Sequence, residues 1–388
     1  MKLKNLFKGG KDLPAVVDFR SRLENPTGDG ALVFSDSPSF DSLQVPYPTT
    51  PTGIATREYY DGNLEDNLIV NGAMEISQEN GDTVGITHFY YPVDQFRMSL
   101  NTTATVGIAQ FDRADDSTLP PQFENYVALG GVANPVAASA GEFLELQTFV
   151  EGTHMRHLRS GYPDAETVTL SWWCNTNGPK TYCVSLRNSN SNRSYVTEFT
   201  TSGTGWERFE KTIPLDTQGT WETGTGLGLL LCWDLTTGSN YYAPATDTWV
   251  DGNYVGTSNS SDFLSDASNY FRITGVDLRR GTKAPDTFQH RHGEEELRRC
   301  KRYYNKKGIG DRFGNFYYGG VYFTNRSFVK LWLNQEMRLP LTSCTKTYTT
   351  STTESDVNVY HRGANCLQFY LNSEAASGVH SLIVDARL

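Results

Sequence analysis

Between about residues 66 and 287 the chain is a succession of short runs rich in β-branched, aromatic and aliphatic residues. Each run is closed by a cluster of Gly, Asn, Ser or Thr. This punctuation leaves room for strands and little room for long helices, and repeated at this spacing it predicts a β-sandwich or barrel. The runs are NLIVNGAMEI (67–76), ETVTLSWWC (166–174), KTYCVSLRN (180–188), WERFEKTIPL (206–215), GLGLLLCWDL (226–235) and NYFRITGVDLRRG (269–281). In VTLSWW a two-residue period puts Val168, Leu170 and Trp172 on a core face and Thr169, Ser171 and Trp173 on the other. The expected fold class is all-β: an antiparallel jelly-roll sandwich, then a short α-helix and a second, smaller β-domain, preceded by an extended arm.

Two stretches depart from the strand rhythm. Residues 1–65 hold short apolar clusters among turn residues and end in the proline-rich VPYPTTPTG (45–53), which favours a semi-rigid connector, so an N-terminal arm is expected. HRHGEEELRRCKRYYNKK (290–307) begins acidic and ends basic, in the sense that a helix dipole favours. It is predicted as a helix of about three turns with pairs Glu294–Arg298 and Glu295–Arg299 and a shared face of Leu297, Cys300 and Tyr304. Beyond it, strand-like runs return to the C-terminus. The expected domains are thus 1–65, 66–287, and 288–388 for the linker helix with its β-domain.

Composition excludes several classes of function. Lys and Arg total 34 against 44 Asp and Glu, a formal charge of −10, which disfavours sequence-independent binding to nucleic acid. No apolar run reaches the roughly 18–20 residues of a membrane span or forms a signal peptide, so neither membrane insertion nor Sec-route export is expected. The six cysteines are scattered without a CxxC; free buried thiols are expected, although Cys174 and Cys183 flank one turn and could face each other across a hairpin. GTGLGL (224–229) precedes a strand instead of opening a helix and is not a phosphate loop. There is no GxxxxGK[ST], HExxH or GxSxG, and no repeat of the kind that builds a β-helix. A glycosidase needs only two suitably spaced acids, which a sequence does not display; catalytic residues: none are expected.

The stretch most suggestive of binding is 233–266, a long connection carrying Tyr241, Tyr242, Trp249 and Tyr254 among Asn, Ser, Thr and Asp. Aromatic platforms beside short polar side chains suit the C–H faces and hydroxyl edges of sugars, and equally suit packing against the sandwich or a neighbouring subunit. Asp247, Asp251 and Asn253 form an oxygen-rich cluster of the type calcium favours, without EF-hand spacing; ordinary turn chemistry is the competing reading. His290 with His292, and His154 with His157, lack the further ligands a metal site needs. No other cofactor is expected.

NLIVNGAMEISQ, YPVDQF, VTLSWWCNTNG, GWERFEKTI and FRITGVDLRRGTKAPDTFQHRHGEEELRRCKRYY, in that order, resemble the motifs of bacteriophage and prophage tail-fibre or receptor-binding proteins. The matching positions include Gly275, Leu278, Gly281, Phe288, His290, Arg291, Glu295, Leu297, Cys300, Arg302, Tyr303 and Tyr304. Met337-Arg338-Leu339-Pro340 and the terminal Asp385-Ala386-Arg387-Leu388 stand where the family has an MRxxP element and an acidic ending. The former is tighter by one residue and the latter has Arg387 where an acid is usual. The likeness runs from about 67 to 388. It implies a virion protein made in the host cytoplasm, a homotrimer, attached to other virion proteins through 1–65, that adheres to a host-surface glycan. The alternative is a purely structural head or tail component.

Overall fold

The computed structural model describes residues 67–308 throughout and, beyond them, the backbone of six strands. These belong to a unit running from Glu65 to Leu388. The arm expected over 1–65, the Met337–Pro340 element and the last three residues lie outside the described residues.

Two antiparallel sheets face each other. One has seven strands in the spatial order β1 (Tyr90–Val93), β2 (Phe96–Asn101), β5 (Phe143–Glu151), β10 (Leu227–Thr237), β7 (Lys180–Arg187), β8 (Arg193–Thr201) and β11 (Trp249–Asp251). The other has five: β3 (Thr105–Asp112), β4 (Asn125–Ala133), β12 (Phe271–Arg280), β6 (Thr167–Thr176) and β9 (Glu207–Pro214). The chain changes sheet at most connections, which is the jelly-roll arrangement. Five of the six predicted runs are strands within one or two residues at either end. The core between the sheets is aliphatic and aromatic. Val168, Leu170 and Trp172 of β6 meet Trp233 of β10 and Phe199 of β8, with the Trp172 and Trp233 rings edge-to-face at 6.1 Å. Fully burying side chains of this size stabilises by about 1.5–3 kcal/mol each. The opposite side of β6 is also covered: Thr169 is buried, its hydroxyl donating to the Gly281 carbonyl at 2.8 Å.

Two expectations are corrected, the first run and the helix, while the cysteines are free and buried as expected. NLIVNGAMEI is no strand; Asn71 and Met74 take left-handed φ values of 62° and 60°. The Asn71 amide then closes a turn by accepting from the Ile76 N–H and donating to the carbonyls of Ile76 and Asp94. Cys174 and Cys183 do not face each other across a hairpin: β6 and β7 lie in different sheets, so the turn between them is an arch, and both thiols are free and buried, as are Cys232 and Cys300. The helix, α2 (Gly293–Lys301), is nine residues long because the chain leaves it at Arg302 and enters β13 (Tyr304–Gly308). A four-residue turn, α1 (Gly152–Met155), precedes it in the sandwich. Arg298 bonds Glu295, three residues before it, at 2.5 Å, while Arg299 turns to the Asn67 carbonyl. Cys300 and Tyr304 are buried as expected, Leu297 is half-buried, and Glu296 is the other buried residue of the helix.

Glu296 explains how the helix docks. Its carboxylate accepts from the Asn71 N–H and pairs with Arg291 at 3.1 Å, and Arg291 in turn donates to the Asn67 carbonyl at 2.7 Å. Just past the helix, Arg302 makes a two-pronged bond with the fully buried Glu151 of β5 (2.8 and 2.7 Å), and the Tyr303 hydroxyl adds a third donor at 3.1 Å. Beyond the helix, β13 pairs with β19 (Val379–Asp385), which also pairs with β16 (Ser343–Tyr348). A further sheet runs β14 (Phe316–Tyr317), β15 (Arg326–Trp332), β18 (Cys366–Asn372), β17 (Val357–Arg362). No helix among the described residues is long and apolar enough to cross a membrane.

Candidate functional site

The outer face of the seven-stranded sheet is polar, and its side chains interlock. Arg97 (β2) donates from Nε to Gln147 Oε1 at 2.8 Å, and Gln147 Nε2 donates to Glu145 (both β5). Arg187 (β7) then donates to Glu145 at 2.9 Å and, from its other terminal nitrogen, to Asn253 Oδ1 at 2.8 Å. Five planar groups form a ladder across the sheet. At the Arg97 end the guanidinium lies over two aromatic rings, Phe149 at 4.4 Å and Phe89 at 4.1 Å. Phe89 is 48% exposed and held at φ 61°, a conformation rare for a bulky side chain. At the other end lie Asn253 and the half-buried Tyr254.

Residues 252–262 cross this face and close part of it. Ser194 of β8 donates to the Gly252 carbonyl at 2.6 Å and accepts from the Tyr254 N–H at 3.0 Å. Thr257 donates to Glu198, Ser260 lies 3.3 Å from the Cys183 sulfur, and Ser261 exchanges two hydrogen bonds with the Thr181 backbone. Gly256 passes so near the sheet that a Cβ there would meet Asp234 Oδ2 at 2.3 Å. Only glycine fits.

Asp234 (β10) lies opposite Glu145 on one side and Cys183 on the other, and Cys183 lies opposite Glu198. One row of the face therefore carries three acids. Burial pushes Asp234 up to about 8 in spite of a hydrogen bond from Thr237, and the negative Glu145 adds to the push. Arg187 is bound to Glu145 and the Cys232 sulfur, and burial raises the Cys232 thiol to about 12. Glycoside hydrolysis uses a pair of carboxyl groups that the sugar can reach. Glu145 and Asp234 are buried, 3% and 0% exposed.

The residues singled out in the sequence fall in three settings. Trp249 is a packing residue: its indole donates to the Pro214 carbonyl at 2.8 Å and its ring abuts Trp221 (5.2 Å) and Tyr195 (5.6 Å). Tyr241 sits edge-on to Phe143 at 5.6 Å, and Tyr242 bridges Gly256 through its backbone; with Tyr254 these three remain half-buried around the covering segment. Of the expected calcium ligands, Asp251 pairs with Arg193 at 2.6 Å and Asn253 with Arg187. At two of the three positions a guanidinium supplies the positive charge that calcium was expected to bring. Asp247 is exposed, at φ 57°, its N–H donating to Val196. Among the described residues no group of three or more His, Cys, Asp and Glu side chains could hold a metal ion. His290 is placed between Glu75 (3.1 Å) and the Gln122 carbonyl (2.6 Å), a structural setting. A shallow cleft beside it is lined by Asn71, Glu75, Phe288, His290, Arg291 and Glu296. The ladder itself was not foreseen. Its signal was faint: Glu145 and Gln147 alternating with apolar residues in FLELQTF, and a lone arginine ending VSLR.

No family model and no curated protein matches the chain. Among solved structures it is similar to a family 4 carbohydrate-binding module (12% identity, TM-score 0.28, 55% of this chain and 99% of that one). It is also similar to a family 61 carbohydrate-binding module in complex with β-1,4-galactotriose (16%, 0.28, 56% and 99%). A third is the enzymatically active domain of tailspike protein 4 of bacteriophage CBA120 (9%, 0.29, 59% and 22%), so the chain spans under a quarter of that domain. At TM-scores near 0.3 these likenesses add nothing to what the two sheets define: an all-β protein built on a jelly-roll sandwich.

Proposed function

We propose that the chain is a fibre or spike protein of a phage virion whose sandwich adheres, without catalysis, to a host-surface glycan. The observation that carries the binding is the ladder from Arg97 to Asn253, with aromatic rings at both ends. Planar amide, carboxylate and guanidinium groups match sugar hydroxyls, rings match the C–H faces, and a pre-bonded ladder loses little freedom on binding. A glycan would meet the exposed ends, Phe89 and Asn253, because the middle of the ladder is buried. The phage assignment is supported by the ordered motifs, several of which meet in space: Asn71, Asp94, Glu296, Arg302 and Tyr303 all take part in the junction of helix and sandwich. Attachment through 1–65, a homotrimer, synthesis in the host cytoplasm and avidity from several copies complete the proposal.

A structural virion protein is the second reading, favoured by the locked position of Trp249. The test is binding of the labelled full chain to intact bacterial cells before and after surface polysaccharide is stripped. Saturable binding lost on stripping supports the glycan reading. A folded oligomer that binds no cells points to the structural one, and release of reducing ends from the polysaccharide would make the protein a hydrolase.

A further inference from the structure

The row Glu198, Cys183, Asp234, Glu145 holds three carboxyl groups, of which Glu198 and Asp234 meet the covering segment, with Arg187 as the cation bonded to Glu145. Every other charged group facing Asp234 is either negative or a weak acid. Glu145 faces it from β5, Cys183 from β7 and Cys232 from its own strand. Tyr182 and Asp262 lie further off, the latter bound to Thr236 at 3.0 Å. The covering segment itself brings no lysine or arginine, since 252–262 reads GNYVGTSNSSD. Above Asp234 it brings the backbone of Gly256 and the neutral Ser260 hydroxyl, while Thr257 bonds Glu198.

From this geometry we propose that residues 252–262 are a lid closed by the proton on Asp234, so that the lid is tight in acid and loosens as the medium becomes neutral to alkaline. A buried carboxyl with no cation of its own stays closed only as the neutral acid. Opening the lid puts water on Asp234, where its proton is lost at an ordinary carboxylate pH. The closed form binds one more proton than the open form between the open-state value, roughly 4, and the closed-state value near 8. Opening therefore becomes about tenfold easier per pH unit across that window and levels off above it. Because the lid carries Asn253 and Tyr254, the device would set how much of the ladder's far end is presented; that consequence, though not the lid motion, rests on the proposed glycan reading.

The test is hydrogen exchange of the 252–262 amides in the full chain at pH 5, 6, 7, 8 and 9, corrected for intrinsic rates, for the wild type and for Asp234→Asn. The wild type is expected to gain about tenfold in opening per unit up to pH 8 and little above it. The isosteric amide keeps an acceptor for Thr237 and has no proton to lose, so its profile should be flat. Gly256→Ala serves as a second variant; its Cβ should pry the lid open at every pH while the core amides of β6 stay protected. Equal slopes in wild type and Asp234→Asn, or a wild-type lid unaffected by pH, would overturn the proposal. Because exchange is read without any glycan, failure of cell binding leaves this result standing.

Discussion

Two buried clusters of charge sit at different parts of the sandwich and behave oppositely. At the helix junction each acid has its own arginine: Glu151 with Arg302, Glu296 with Arg291. Under the lid one arginine, Arg187, is bonded to Glu145 while Asp234 has none. Burial acts on Glu151 as on Asp234, yet the bonds from Arg302, Thr153 and Tyr303 outweigh it and hold Glu151 below its ordinary value, while Asp234 is driven far above. The number of cations within reach, more than depth of burial, decides whether an interior carboxyl is a fixed anchor or a titrating one.

The sharpest way to break the contrast is to remove an anchor. Glu151→Ala leaves Arg302 and Tyr303 facing an empty place at a fully buried site, and should cost about 3–5 kcal/mol in urea unfolding. Trp249→Ala should cost nearly as much, about 3 kcal/mol, because the ring fills the cluster with Trp221 and Tyr195; loss of glycan binding with unchanged stability would restore Trp249 as a platform. Asp234→Asn is expected to raise stability by about 2–4 kcal/mol at pH 7 and to leave it unchanged near pH 3.

The signs of the two pH dependences differ. Asp234, raised in the fold, keeps its proton longer than in the unfolded chain, so its contribution falls as pH rises from about 4 to 8 and is flat beyond. Glu151, lowered in the fold, contributes fully above its unfolded value, and that contribution is lost as pH falls through its folded value. Wild-type unfolding against pH should thus decline on both sides, and each single variant should straighten one limb. The smallest effect is at the surface: Glu295→Gln breaks the exposed pair with Arg298 and should leave the unfolding midpoint unchanged within error.

The framework was legible because its code is local. Alternation in VTLSWW put Val168, Leu170 and Trp172 in the core, and the charge gradient of GEEELRRCK marked the helix. The ladder was not, because its five members come from β2, β5, β7 and the lid, and each reads alone as a solvent-facing polar residue. The same blindness made Trp249 look like a platform: its partners Tyr195, Pro214 and Trp221 lie 28 to 54 positions away in sequence. NLIVNGAMEI misled for the opposite reason. Its composition is that of a strand, and the side chains of Asn67 and Asn71, bonding to neighbouring backbone groups, turn it away from a sheet.

The four described thiols carry a last consequence, one of durability. Air and peroxides attack the thiolate, and burial pushes Cys183 and Cys232 up to about 12 and Cys174 and Cys300 upward as well. All four are free and buried, so a passage from reducing to oxidising surroundings leaves them as thiols. The sandwich and its helix keep the same covalent skeleton in both, and ageing in air should leave their fold chemically as it was made.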